Sequence, residues 1–337
     1  MPHFSSSRFL HGAMTTVRIG HLSTGYHTAL CAIALKAPEH AGLDPVWRLF
    51  GTGPPIIKAL EEGELDIGYV GLPPSVIGIA RGAAIKCVAG GHMDGTVLIA
   101  RAGYQDSAEA GSIGAALEQF VGKKIGSPSK GSIHDVILRA FLARHGLENK
   151  AHVENFPWTD LVGQAMEDGI IDAAVGTPSL QASLELVSGI NVKPLVPPDR
   201  LWPDNPSYGI IATERFMEEE PDALLEFLKI HESLTGLIKS RPEVAATATA
   251  RLVGMAPPEF FEYSYKISPR YCASLPDRYI ASTMQFVETL RVLGYIRREV
   301  AHEEIFDKSF IDLIHQEPDH YDDPKGYISG DYPWFSG

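Results

Sequence analysis

Apolar and polar side chains alternate along Thr16-Val17-Arg18-Ile19-Gly20-His21-Leu22, the period-two pattern of a strand. Ser23-Thr24-Gly25 turns the chain into residues 27–37, an alanine- and leucine-rich stretch that reads as a helix stopped by Pro38. Residues 45–50 form the next predicted strand, and Gly51-Thr52-Gly53-Pro54-Pro55 opens a helix carrying Ile56, Ile57, Ala59 and Leu60. Gly63 closes that helix. Residues 66–70 read as a strand leaving through Gly71-Leu72-Pro73-Pro74, followed by a helix to about Gly82 and a strand near residues 85–89.

The rhythm then starts again. Residues 124–127 form a strand, Lys130-Gly131-Ser132 a turn and residues 133–145 a helix; a strand at 152–156, a helix at 160–167 and a strand at 172–176 follow. The stretches ALEEGELDIGYVGLPP (59–74) and AMEDGIIDAAVGTPS (165–179) share one arrangement of small residue, acidic pair, glycine, aspartate, apolar run, glycine and proline. This echo predicts two similar lobes, each a mainly parallel sheet flanked by helices, in the α/β class. After a strand at 209–212, residues 214–239, 242–254 and 278–294 read as helices, with Pro206-Ser207-Tyr208 as a crossing between lobes. Residues 319–337, polar, aromatic and broken by proline, form a predicted C-terminal tail that docks if its tyrosines and Trp334 find a surface.

Composition narrows the function. A formal charge of −13 repels phosphate backbones and argues against nucleic acid as a partner, while leaving room for a small anion held by local donors. The cysteines Cys31, Cys87 and Cys272 show no CxxC or CxxH spacing, so neither a disulfide framework nor a structural zinc site is expected. No stretch reaches the ~18 apolar residues of a membrane span. Residues 1–14 read as an N-terminal extension without the apolar centre of a secretory signal. The expectation is therefore a cytoplasmic chain, or an extracytoplasmic one if a signal was removed.

Ligands of parallel α/β sheets gather at the carboxyl ends of the strands, where helix N-termini favour anions. Four turns have the short hydroxyl and glycine residues that such a site needs: Ser23-Thr24-Gly25-Tyr26-His27, Gly51-Thr52-Gly53, Gly71-Leu72-Pro73-Pro74 and Lys130-Gly131-Ser132-Ile133-His134. Helix capping is the plain alternative for any one of them. Their recurrence on both predicted lobes points to a shared cleft.

Residues 51–82 (GTGPPIIKALEEGELDIGYVGLPPSVIGIARG), 121–147 (VGKKIGSPSKGSIHDVILRAFLARHGL) and 208–246 resemble the solute-binding proteins of nitrate, sulfonate and bicarbonate ABC importers. That group includes binders of thiamine pyrimidine precursors. The resemblance spans roughly residues 15 to 300 and implies a two-lobed, type II periplasmic-binding-protein-like fold. It implies a first lobe at 15–103 and 207–318, a second at 104–206, and a hinge near 101–106 and 204–208. It also implies a small anionic or zwitterionic ligand (sulfonate, carboxylate, nitrate-like or pyrimidine-like), an ABC permease as partner, a monomeric chain, no cofactor and no catalysis. Carried over turn by turn, the ligand-binding positions are Thr24, Tyr26, His27, Thr52, Gly53, Leu72 and Pro73 on the first lobe. On the second they are Ser132, Ile133, His134 and Thr177. Many relatives carry an acid where this chain has Thr177, which argues against a cationic ligand.

A rival reading makes the chain a cytoplasmic enzyme on the same scaffold, such as a desulfinase-like lyase. His27 and Cys31, four residues apart, would supply its thiolate–imidazole pair. A ligand-sensing accessory protein is a third reading. Against the enzyme, Cys31 sits in ALCAIAL like a small buried apolar residue, and the cysteine-rich iron motif of thiamine-pyrimidine synthases is absent. His134-Asp135 could assist a ligand, although adjacent helical residues face different ways. Trp158 and Trp202 are open between core and cleft wall.

Overall fold

The computed structural model describes residues 14–316 and 318–323. All but the last residue of the expected N-terminal extension lies outside them, as does most of the expected tail, Trp334 included. Among the described residues ten strands run in chain order: Thr15–Leu22 (β1), Leu43–Phe50 (β2), Ile67–Val70 (β3), Ile85–Met93 (β4), Val97–Arg101 (β5), Lys124–Pro128 (β6), His152–Phe156 (β7), Ala173–Gly176 (β8), Val192–Pro194 (β9) and Pro206–Thr213 (β10). They make two five-stranded sheets, ordered β2-β1-β3-β10-β4 and β7-β6-β8-β5-β9. Each sheet has four mutually parallel strands and one antiparallel strand, fourth in the order, which arrives over a crossing from the other lobe's side of the chain. The two-lobed α/β reading is therefore met.

The echoed segments take equivalent places. Asp66 and Asp172 each precede the central strand of their sheet, and each carboxylate accepts the backbone N–H of a neighbouring strand. For Asp66 the donor is Arg18, at 2.9 Å, and for Asp172 it is Lys124, at 3.0 Å. The residue just before each aspartate covers a glycine in the adjoining strand. A Cβ on Gly20 would meet Leu65 at 2.6 Å, and one on Gly126 would meet Ile171 at 2.4 Å. Close helix-to-sheet packing thus requires glycine at both places.

Three expectations need correction. The first crossing lies at Asp94-Gly95-Thr96, not at 101–106, because β5 already belongs to the second sheet. That strand escapes a period-two reading because both its faces are covered. Val97 and Ile99 enter one apolar cluster, with Met166, Ile171 and Leu180, while Leu98 and Ala100 enter the main core. The return crossing precedes Pro206, so residues 206–208 are the start of β10 rather than the crossing itself. The predicted helix 214–239 is two helices, Glu214–Glu219 and Pro221–Ser240, since Pro221 lacks the N–H needed to continue the first.

The crossings form one braced unit. Asp94 and Asp204 adopt left-handed backbone angles, φ 58° and 51°. Arg270 pairs with both carboxylates, that of Asp204 at 2.8 Å. Asp94 donates its N–H to the Asn205 carbonyl at 2.8 Å, and Asn205 Nδ2 donates to Thr96 Oγ1 at 3.0 Å. The helix Pro258–Ile267 packs against both the helix Pro242–Val253 and the second lobe's helix Pro178–Ala182, so the C-terminal half buttresses both sides.

Candidate functional site

A cleft of about 390 Å³, counted out to its mouth, lies between the lobes. Its walls come from the carboxyl ends of parallel strands. The exit of β1 supplies Leu22, Thr24, Tyr26 and His27; β2 supplies Thr52 and Gly53; β3 supplies Gly71 and Pro74. Across the gap, β6 supplies Pro128 and leads into the turn at Ser132, Ile133 and His134, while Thr159 follows β7 and Thr177 follows β8. Ser207, beside the crossing, completes the wall.

Several of these residues begin helices. His27, Thr52, Gly71, Ser132 and Thr177 are the N-caps of Thr28–Leu35, Gly53–Glu61, Leu72–Arg81, Ile133–Arg144 and Pro178–Ala182. Only the Ser132 hydroxyl is spent on its own helix, accepting from the Asp135 N–H at 3.3 Å. Prolines in the first turns of the Gly53, Leu72 and Pro178 helices remove N–H donors while leaving the dipoles in place. Ile133 and His134 keep theirs, in a turn where an N–H has no intrahelical acceptor.

Among the described residues, no aspartate, glutamate, lysine or arginine lines this cavity. Its polarity comes from hydroxyls and imidazoles. His27 is fully buried, and desolvation, reinforced by His92, His21, His134 and His231 around it, holds its pKa well below the ordinary value. Burial also lowers His134 to about 4, with its Nδ1 sharing a 3.1 Å hydrogen bond with Thr96 Oγ1. Both rings are therefore neutral near pH 7. Thr24 Oγ1 and His27 Nδ1 are buried with no hydrogen-bond partner among the described residues. Such atoms are costly unless something meets them.

A second cavity, about 490 Å³ when counted out into open solvent, adjoins the first and shares Thr24, Thr159 and Thr177 with it. It adds Ser23, Ser179 and an acid, Asp160, whose carboxylate accepts from the Ser23 hydroxyl at 3.0 Å. The lobes are drawn together in this structure. Besides Ser23–Asp160, Ser129 meets Thr52, and Thr159 donates to the Gly51 carbonyl at 3.3 Å.

Of the sequence-predicted positions, Thr24, Tyr26, His27, Thr52, Gly53, Ser132, Ile133, His134 and Thr177 line one cavity. Leu72 and Pro73 do not. Leu72 is wholly inside the core, and the helix beginning there turns Gly71 and Pro74 toward the gap instead. Sequence reasoning also missed Leu22, Pro128, Thr159 and Ser207. The hydroxyl Thr159, first residue of its helix after β7, had the same strand-exit signal as the four turns that were found.

The proposed thiolate–imidazole pair does not form. Cys31 lies in the core beside Thr249, and burial pushes its thiol up to about 12, while His27 is a cap with extended backbone rather than a helical neighbour. Asp135 points away from the gap, accepting from the Gly131 N–H at 2.9 Å and from Arg139 Nε at 2.8 Å. Trp202 stacks on Phe286 at 4.0 Å and is core; Trp158 lies against Gly51 of the first lobe, at the rim where the lobes meet.

Comparison with known proteins fits this architecture. A protein of Brucella abortus (strain 2308), named as a binding protein, is 29% identical over 244 residues, covering 70% of this chain and 71% of that one. The alkanesulfonate-binding protein of Xanthomonas axonopodis pv. citri, solved with MOPS bound, superposes with a TM-score of 0.73 at 17% identity, covering 88% of this chain and 99% of the other. The periplasmic nitrate-binding protein of Synechocystis PCC 6803 superposes at 0.72 with 12% identity, covering 90% and 89%. At these identities the two structures speak for the fold. Residues 12–253 match the NMT1-like family, and the chain belongs to that family.

Proposed function

We propose that this chain is a solute-binding protein that closes two lobes on a small anionic or zwitterionic molecule and presents it to an ABC-type permease. One observation carries the reading: among the described residues, Thr24 Oγ1 and His27 Nδ1 are buried without partners in a cleft that no charged side chain lines, ringed by helix N-termini. Neutral donors and dipole ends suit an oxyanion such as a sulfonate, carboxylate or nitrate, or the polar edge of a pyrimidine. A cation would find no carboxylate in the main cavity. The binding proteins matched in fold and sequence support the same role. So does the state of Cys31, buried and protonated, which leaves the lyase reading without its nucleophile.

The sequence leaned toward the cytoplasm. The structural relatives from Escherichia coli and Synechocystis are periplasmic proteins, and we place this chain outside the cytoplasm with them. Among the described residues no helix is long and apolar enough to cross a membrane. Contact with a permease would then be made by a monomer through surfaces of both lobes.

A thermal-shift screen of sulfonates, nitrate, dicarboxylates and pyrimidines tests the reading. A true ligand at about a hundred times its Kd stabilises by about 2.7 kcal/mol and is recovered unchanged. Stabilisation by cations alone, or consumption of the compound, contradicts it.

A further inference from the structure

Four side chains with metal-ligating atoms meet at a place that touches neither cleft cavity. Glu232 lies on the helix Pro221–Ser240 and Cys272 in the segment after the helix Pro258–Ile267; His315 and His320 follow the short helix Ile311–Ile314. One ligand atom from each lies within 4.8 Å of all the others. Their side chains are almost wholly shielded from solvent, with His315, Glu232 and His320 at 4%, 6% and 6% exposure and Cys272 at 0% overall.

The spacing suits one tetrahedral ion. Zinc bonds of about 2.3 Å to sulfur and about 2.0–2.2 Å to nitrogen and oxygen place neighbouring ligand atoms roughly 3.3–3.6 Å apart. Cys272 Sγ is 3.4 Å from His315 Nε2, which is 3.6 Å from Glu232 Oε1; His320 Nε2 is 2.8 Å from that same oxygen. The last distance opens by half an ångström or so when an ion enters between them. Thiolate, imidazole and carboxylate together form a donor set that zinc takes readily.

The surroundings already orient the ligands. Glu232 Oε2 accepts from the Ala273 N–H at 3.0 Å and from Thr235 Oγ1 at 3.2 Å, so Oε1 is the oxygen turned to the imidazoles. The Lys239 ammonium donates to the carbonyls of His320 and Tyr321, and the Tyr321 hydroxyl donates to the Ser274 carbonyl at 3.0 Å. Fixed carboxylates and fixed loops of this kind support metal sites. The chain spacing conceals the site: 43 residues separate Cys272 from His315, and 88 separate Glu232 from His320.

We propose that Glu232, Cys272, His315 and His320 bind a zinc ion that staples residues 311–316 and 318–323 to the helix Pro221–Ser240 and to the stretch beside β4. With four protein ligands the site is closed, which makes its role structural rather than catalytic. The proposal is independent of what the cleft binds.

The test uses the full chain, stripped with a chelator, dialysed and titrated with Co²⁺. Expected are one ion per chain, a thiolate-to-cobalt charge-transfer band with the intense visible absorption of a four-coordinate ion, displacement by Zn²⁺, and a higher melting temperature with either metal. Cys272→Ser removes the charge-transfer band and weakens binding by at least about tenfold, whereas Cys87→Ser leaves both unchanged. If Cys272→Ser does not fold, Glu232→Gln, which keeps the thiol, is expected to retain the band while weakening binding. A folded wild-type chain that gives no band at saturating cobalt overturns the proposal. So does a band that survives in Cys272→Ser or disappears in Cys87→Ser.

Discussion

Ser129 donates its hydroxyl hydrogen to Thr52 Oγ1 across the cleft at 2.8 Å. The bond exists only while the lobes are together, so it contributes to closure and not to the fold of either lobe. Ser129→Ala is expected to cost about 1 kcal/mol of closure, weakening solute affinity roughly fivefold with an unchanged urea midpoint for the ligand-free chain. Calorimetric titration beside a denaturation curve checks it; a fall in stability without a fall in affinity would contradict it.

Gly71 offers a sharper test of closure. Its backbone angles, φ −63° and ψ 151°, suit any residue, yet a Cβ there would stand 3.0 Å from the Ile133 side chain of the opposite lobe. Gly71→Val is expected to wedge the lobes apart, raising the radius of gyration in small-angle scattering and weakening ligand by more than about tenfold, as befits steric overlap of 1–3 kcal/mol. The secondary structure by circular dichroism stays the same.

Arg270 braces the two crossings through Asp94 and Asp204, and Asp94 is nearly buried, at 7% side-chain exposure. Removing the cation leaves that carboxylate unpaired. Arg270→Ala is expected to destabilise by about 3 kcal/mol and to raise hydrogen exchange at the amides of residues 94–96 and of Asp204, Asn205 and Ser207 above the rest of the sheets. Equal exchange everywhere would show that the arginine serves general stability and not the hinge.

Burial lowers His92 to about 3 and His134 to about 4, and holds His27 well below its ordinary value. A base whose pKa is lowered by folding binds protons more readily in the unfolded chain. Its contribution to stability is complete above the unfolded value near 6.5 and is lost as pH falls toward the folded value. Each such histidine costs up to about 1.4 kcal/mol per pH unit in that window. Urea midpoints are expected to fall from about pH 7 to about pH 5, before carboxylates titrate, with a smaller slope in His134→Gln. An unchanged slope in that variant would contradict the assignment.

The duplicated architecture was legible because Asp66 and Asp172, with the residues before them, perform one structural task twice and leave the same local pattern each time. The cleft was legible where strand exits carry hydroxyls and glycines. Leu72 and Pro73 were misplaced because a turn motif shows which loop faces the gap but not which side of the next helix does. Buried on both faces, β5 had no alternation to read, and the first crossing was displaced with it. The Glu232–Cys272–His315–His320 cluster had no local signal at all; only the tertiary fold brings those four together.

The proposed function requires a solute that sits against Thr24 and His27 between the lobes. Titration calorimetry of the strongest thermal-shift hit, run on wild type and on Thr24→Val, tests it most directly. Expected are one site per chain and an affinity about ten- to a hundredfold weaker in the variant, since a hydrogen bond to a charged group contributes about 1.5–3 kcal/mol. Equal affinity in the two proteins would place the solute elsewhere.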